Sequence, residues 1–461
     1  MVTGIAAGHP ATAEAGAEIL AEGGSAADAA VAAALASCVA ETVMTGLLGG
    51  GHAIYWDAAT STARNLDCFC AVPSGTGGEL IGLDVPFGEE LVQYAVGAAS
   101  CAVPGVAAGL GALWEAHGRL GWPRLVEPAL RLARDGVEMP PAHASCLAML
   151  EPVMTMREGA RMYAPGGRLL QAGDRLAQPG LVVALESLAD EGSAGAYTGT
   201  IGRALVALSA ECGGLVTADD LAAYEARWTD PVEMPWLGLR FLTRGGLSGV
   251  PETVARLPQL RGLAPADRVL ALLAALDDTP GPETHTTNLV TVDADGNACV
   301  LTTSLGLGSG DWLPGLDLHL NSMLGEVDLL VGALEPGERM QSMMAPSIAL
   351  DGDGLALAIG AAGGTRLRGA LVGVAAGILD EGLEPQAAVD RPRAHAANGV
   401  VNAEPGVDVD ALARLEASGL AVRRWPEMHH YYFGGVSVSG RRGAAADPRR
   451  SGAVARAPGR A

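Results

Sequence analysis

The sequence predicts a mixed α/β fold, and two patterns carry that prediction. The first half is dominated by alanine-rich stretches with helical spacing, punctuated by glycine. The second half opens on a β-hairpin and later passes from a strand through two glycines into a helix. No internal repeat is visible. The 461 residues allow a large core and, by length alone, two to four domains.

Composition excludes several classes of function. There is no lysine, so all 30 basic residues are arginine, against 52 acids. A net charge of −22 argues against a nucleic-acid partner. The seven cysteines form no Cys-x-x-Cys pair and no Cys/His ligand spacing. Cys68 and Cys70 are too close for a comfortable metal clip or disulfide. Reduced structural thiols, and a cytoplasmic location, are the expectation. Met1–Ala6 has neither a basic nor an apolar export region. The run Ala26–Ala40 contains Asp28 and is too short and small-residued to span a membrane, so no membrane partner is expected.

Gly8-His9-Pro10 opens a turn, and Ala11–Gly23 reads as a helix. Ser25 can cap a second helix from Ala26 to about Val39. Gly49-Gly50-Gly51 precedes the strand Ala53–Trp56 and permits close backbone approach. It lacks the Lys-Ser/Thr ending of a phosphate loop and precedes a strand rather than a helix. Further helices are expected at Leu110–His117, Pro128–Asp135, Ala218–Tyr224 behind the cap Thr217, and Pro265–Leu276. The polar, Pro-containing stretch Asp277–Glu283 reads as an exposed linker.

Thr286 and Thr287 follow that linker. Leu289–Val292 is a β-branched strand, Asp295-Gly296-Asn297 a tight turn, and Ala298–Ser304 the returning strand. A threonine pair at a strand mouth is more often β-propensity than chemistry. If the chain is cut before Thr286, however, that residue gains an α-amine with a pKa of about 7.7–8.0. The amine can then serve as general base for the hydroxyl beside it. Later, Leu355–Ile359 reads as a strand, Gly363-Gly364 as a close-approach turn, and a helix begins near Leu367.

From Thr286 to Ala298 the sequence resembles the opening of the small subunit of the γ-glutamyltransferase family. Thr286, Thr287, Val292, Asp293, Asp295, Gly296, Asn297 and Ala298 stand at matching positions. The likeness extends over most of the chain. It includes His9-Pro10, Gly49-Gly50-Gly51, Val103-Pro104-Gly105, Gly213-Gly214-Leu215, Gly363-Gly364, Pro392-Arg393 and Asp447-Pro448-Arg449-Arg450.

The resemblance implies a four-layer αββα sandwich of the N-terminal nucleophile (Ntn) hydrolase kind. It implies a precursor cut between His285 and Thr286. Residues 1–285 would then be a large subunit and 286–461 a small one, interleaved in one fold as a heterodimer of the chain's own products. By the same resemblance Thr286 is the nucleophile, Ser304 orients it, and the N–H groups of Gly363 and Gly364 form an oxyanion hole. No metal or organic cofactor is implied.

Several departures bear on the substrate. Phe69 stands where the family has the arginine that grips the glutamyl carboxylate. Gly306 replaces an Asn, Met323 a Gln, and Met343 the second of two serines, while Ser342 keeps the first. Glu326 replaces an Asp that binds the substrate ammonium. The segment between Arg244 and the linker is shortened, so a more open or differently walled pocket is expected. With Phe69, Met323 and Met343 in place of polar grips, the expectation is an amide- or acyl-type small molecule with a more apolar acyl group. Specialised-metabolite or antibiotic biosynthesis is the setting expected. Three alternatives stay open: true γ-glutamyl hydrolysis or transfer, hydrolysis of a C–C bond in a natural product, and an unprocessed non-catalytic homologue.

Overall fold

The computed structural model describes residues 3–87, 90–276, 286–332 and 334–457. Strands of the two main sheets are β1 (Gly4–Ala7), β2 (Gly50–Asp57), β3 (Thr62–Cys68), β4 (Arg227–Thr229), β5 (Val232–Trp236) and β6 (Leu239–Thr243). They continue with β7 (Thr287–Val292), β8 (Ala298–Ser304), β9 (Ser347–Asp351), β10 (Gly354–Ala362), β11 (Gly435–Gly440), β12 (Gly443–Ala446) and β13 (Ala453–Arg456). The helices needed below are α1 (Pro10–Ala21), α2 (Ala26–Ala40), α3 (Trp122–Asp135), α4 (Pro179–Glu191), α5 (Pro265–Leu276) and α6 (Arg366–Leu379).

One sheet runs β13–β1–β7–β8–β2–β3–β4 and the other β12–β11–β10–β9–β6–β5. All these pairings are antiparallel. Both sheets therefore contain strands from before and after residue 286.

Side-chain parity explains why the sheets face each other. Val290, Val292, Val300 and Ile54 pack against Ile348, Leu350 and Ala358 of the other sheet. The alternate residues Leu289, Leu301 and Ala53 join the core formed with α1–α4. On the far side, Leu357, Ile359 and Val438 pack under Leu367, Leu371 and Val374 of α6. The result is helix, sheet, sheet, helix: the four-layer αββα sandwich.

The local signals act as their chemistry dictates. Ser25 and Asp28 form a reciprocal capping box at α2, as Thr217 and Asp220 do before Ala218–Ala223. The β7–β8 hairpin pairs Val292 with Ala298. Asp293 Oδ1 closes its turn by accepting from the backbone N–H of Asp295 at 2.9 Å and of Asn297 at 3.0 Å. Gly296 takes φ +85° there.

Two helices start earlier than expected. The helix expected at Leu110 begins at Val106, and α3 runs through Pro128 from Trp122. Burial of Leu125, Val126 and Ala129 on one face outweighs the proline signal. All seven cysteines are free thiols. Among the described residues, no helix is long and apolar enough to cross a membrane. His285 and the linker Asp277–Glu283 lie outside the described residues.

Candidate active site

Thr286 sits at the head of β7 and is only 2 % exposed. Thr287 pairs with Thr303, so Ser304, the last residue of β8, lies beside the strand mouth. Gly363 and Gly364 follow β10 and lead into α6, with φ +123° and +55°. Sheet edges and helix start therefore meet at one end of the sandwich.

They border a small recess. Thr286, Ser304 and Gly364 line it, together with Phe69, Met323 and Glu326. Ser342 and Met343 complete the set singled out from sequence. Gly363 is not part of this wall. A Cβ on it would come within 2.7 Å of Gly434 Cα, so glycine here permits two backbones to touch. The shortened segment contributes no lining residue from 244–276. Leu329, Met344 and Leu367 also line the recess and were not anticipated. Met344 and Leu367 adjoin motif residues in sequence, which was the available signal; Leu329 carried none.

Ser304 Oγ accepts from the Gly306 N–H at 2.9 Å, which fixes the hydroxyl at the turn after β8. Ser342 Oγ accepts from the Met344 N–H at 3.2 Å. Asn321 clamps the opposite wall by donating to the Leu48 carbonyl at 2.8 Å and the Ala102 carbonyl at 2.9 Å. The ring of Phe69 stacks on His52 with centroids 5.5 Å apart. Its carbonyl accepts from Tyr224 Oη at 2.6 Å and Arg339 Nη1 at 3.0 Å. Arg339 and Arg244 thus hold the loops around the recess by bonding to carbonyls; neither lines it.

Among the described residues, Glu326 is the one carboxyl in the lining. It is buried, and its Oε1 has no hydrogen-bond partner. Burial pushes its pKa up to about 8, with nearby Asp328 adding to the shift. A Cβ on Gly306 would meet Oε1 at 2.2 Å, so glycine at 306 makes room for the longer acid at 326.

Behind the strand mouth lies a contact that the sequence did not advertise. Thr287 Oγ1 donates to the buried carboxyl of Glu41, and Thr12 Oγ1 donates to it at 2.7 Å. Burial raises Glu41 to about 7, against the opposing pull of these hydroxyls and of Arg450. Among the described residues, no group of three or more His, Cys, Asp or Glu side chains could hold a metal ion.

A threonine at the mouth of a central strand, between facing sheets covered by helices, defines the class of N-terminal nucleophile hydrolases. The gamma-glutamyltranspeptidase family model matches residues 12–267 and 264–457, and the chain belongs to that family. It is an Ntn-type hydrolase/acyltransferase. The Acylase ACY 1 proenzyme of Pseudomonas sp. strain SE83 is 28 % identical over 91 % of this chain and 87 % of its own length. The glutathione hydrolase proenzyme of Pseudomonas aeruginosa is 29 % identical over 82 % of this chain and 80 % of its own. The crystal structure of cephalosporin acylase from Bacillus halodurans shares the fold, with TM-score 0.85 and 24 % identity over 100 % of this chain and 97 % of that one.

Proposed function

We propose that this enzyme matures by cutting itself between His285 and Thr286, and then hydrolyses or transfers an apolar acyl group through a Thr286 ester. The cut would leave residues 1–285 and 286–461 as interleaved subunits. The observation that carries this reading is the meeting of Thr286, Ser304 and Gly364 in a recess also walled by Phe69, Met323 and Met343.

The steps follow from those groups. The Thr286 hydroxyl attacks the substrate carbonyl while its α-amine takes the hydroxyl proton. Oxyanion charge falls to the N–H of Gly364, which lines the recess, an effect of about 3–4 kcal/mol for one donor. The amine returns the proton to the leaving nitrogen, and the C–N bond breaks. Water, or an acceptor amine, then attacks the ester, releases the acyl group and restores the threonine hydroxyl. Ser304, fixed by the Gly306 N–H, orients the nucleophile. Maturation uses the same hydroxyl on the His285 carbonyl: the C–N bond breaks as the ester forms, which frees the Thr286 amine, and water then cleaves the ester to release the His285 carboxylate and restore the hydroxyl. Relatives named as an acylase proenzyme and a glutathione hydrolase proenzyme support both the reaction class and the processing.

Intact mass of the purified wild type beside Thr286→Ala tests this. Two pieces from the wild type and one from the variant are expected. A wild type that stays whole after long incubation removes the nucleophile and with it the proposal.

Glu326 favours a second reading, γ-glutamyl hydrolysis or transfer, because it keeps a carboxyl in the recess. Turnover of γ-glutamyl-p-nitroanilide at an enzyme-like rate would establish that reading over the apolar one.

A further inference from the structure

A second recess, open to solvent, lies between α5 and α6. It shares no lining residue with the recess at Thr286. Arg268, Arg366, Arg391 and Arg393 line it with His395, and among the described residues no Asp or Glu does. In a chain with 52 acids and 30 bases that local balance is inverted.

Two of these cations already have counter-charges. Arg391 is paired with Glu381, and Arg393 with Asp447. Arg366 donates through Nε to the Tyr432 carbonyl at 2.8 Å. Arg268 differs. It is half-buried on α5, and among the described residues no hydrogen bond acts on its guanidinium; Glu381 and Asp408 reach it only at a distance, and Arg391 repels it. A partly desolvated guanidinium beside other cations is electrostatically favourable only when an anion joins it.

The rest of the wall is apolar. Leu272, Leu273 and Leu276 of α5 face Ala370 and Val374 of α6, with Phe433 alongside. Gly369 and Gly373 also line the recess, and a Cβ on Gly373 would meet nothing within 4 Å. The helix thus leaves open the space a side chain would occupy.

We infer that this recess is a second binding site, for a small anion with an apolar body, the anionic group at Arg268 and the body against Leu272, Leu276 and Val374. The inference does not depend on the proposed chemistry at Thr286. Its ligand sits on α6, which follows Gly364 and carries Leu367 of the recess at Thr286, so the two recesses share one helix.

Decanoate is a suitable probe, titrated by calorimetry into the full-length wild type, Arg268→Gln and Gly373→Trp, with decylamine as the charge control. Arg268→Gln removes a half-exposed cation and is expected to weaken decanoate roughly tenfold, the loss of one charge-assisted hydrogen bond. Gly373→Trp fills the recess from a helical position where replacing glycine is favourable to the helix, and should abolish binding there. Decylamine should not bind this site in any of the three. Equal decanoate affinity in all three proteins overturns the inference. So does the absence of saturable binding by wild type, or decylamine binding that Gly373→Trp removes.

Discussion

The Thr287 hydroxyl donates to the carboxyl of Glu41, a residue 246 positions earlier in the chain. This contact ties the residue after Thr286 to the helical layer. Glu41→Ala would leave the hydroxyls of Thr287 and Thr12 buried without their acceptor. A loss of about 1–3 kcal/mol in urea unfolding is expected, together with slower appearance of the two pieces on a gel. Glu41→Gln keeps an acceptor oxygen and should lose less on both counts. An Ala variant that matches wild type in stability and processing would show that the contact positions nothing.

Gly306 and Glu326 are sterically coupled. Any side chain at 306 meets both Glu326 Oε1 and Ser322 Oγ, and φ is +69°. Gly306→Asn should therefore lower the melting temperature. Glu326→Asp shortens the acid and should recover part of that loss in the double variant. A double-mutant cycle is expected to give a favourable coupling of roughly 0.5–3 kcal/mol. Strict additivity would mean that the two positions do not compete for space.

The raised pKa of Glu326 has a signed consequence for stability. The unfolded chain releases this proton near 4.5, and the folded protein near 8. Between those values the folded state holds a proton that the unfolded state has lost. Stability therefore falls as pH rises through this window, by at most about 1.4 kcal/mol per unit. Glu326→Gln removes the effect. Its melting temperature relative to wild type should rise between pH 5 and pH 8 and level off above. Glu41 contributes the same slope to both proteins and cancels. A constant difference across that range would refute the buried, neutral state of Glu326.

Phe69 is almost wholly buried and stacks on His52 while lining the recess. Phe69→Ala should cost about 3–5 kcal/mol of stability. It should also raise KM for apolar acyl amides more than it lowers kcat, because the ring contributes binding area rather than charge at the carbonyl. An unchanged KM across a series of acyl chain lengths would place the substrate elsewhere.

What was legible in the sequence divides along a physical line. The β7–β8 hairpin, its Asp293–Asn297 turn and the Ser25 and Thr217 caps are short-range chemistry. The four-layer fold followed from the family resemblance. That resemblance also picked out eight residues that do line one recess. Gly363 was expected at the same wall but packs against Gly434 behind it, because a motif records proximity in sequence and not which of two glycines faces inward. Glu41 was illegible for a different reason. Nothing around it distinguishes an acid at a helix end from one that meets Thr287 across the fold. The coupling of Gly306 to Glu326 was also hidden. Each reads as an isolated departure until their atoms are placed 20 residues apart in sequence and in contact in space.

The sharing of each sheet between early and late strands sets an order of events. β1 lies between β13 and β7, and β2 lies against β8. Neither piece of a chain cut before Thr286 would possess a complete sheet of its own. Were the chain cut as proposed, assembly would precede scission. The severed product would stay together through backbone pairing rather than through an interface that dilution could dissociate. A protein built this way can be unmade but not taken apart, and mixing separately produced halves would not be a route back to it.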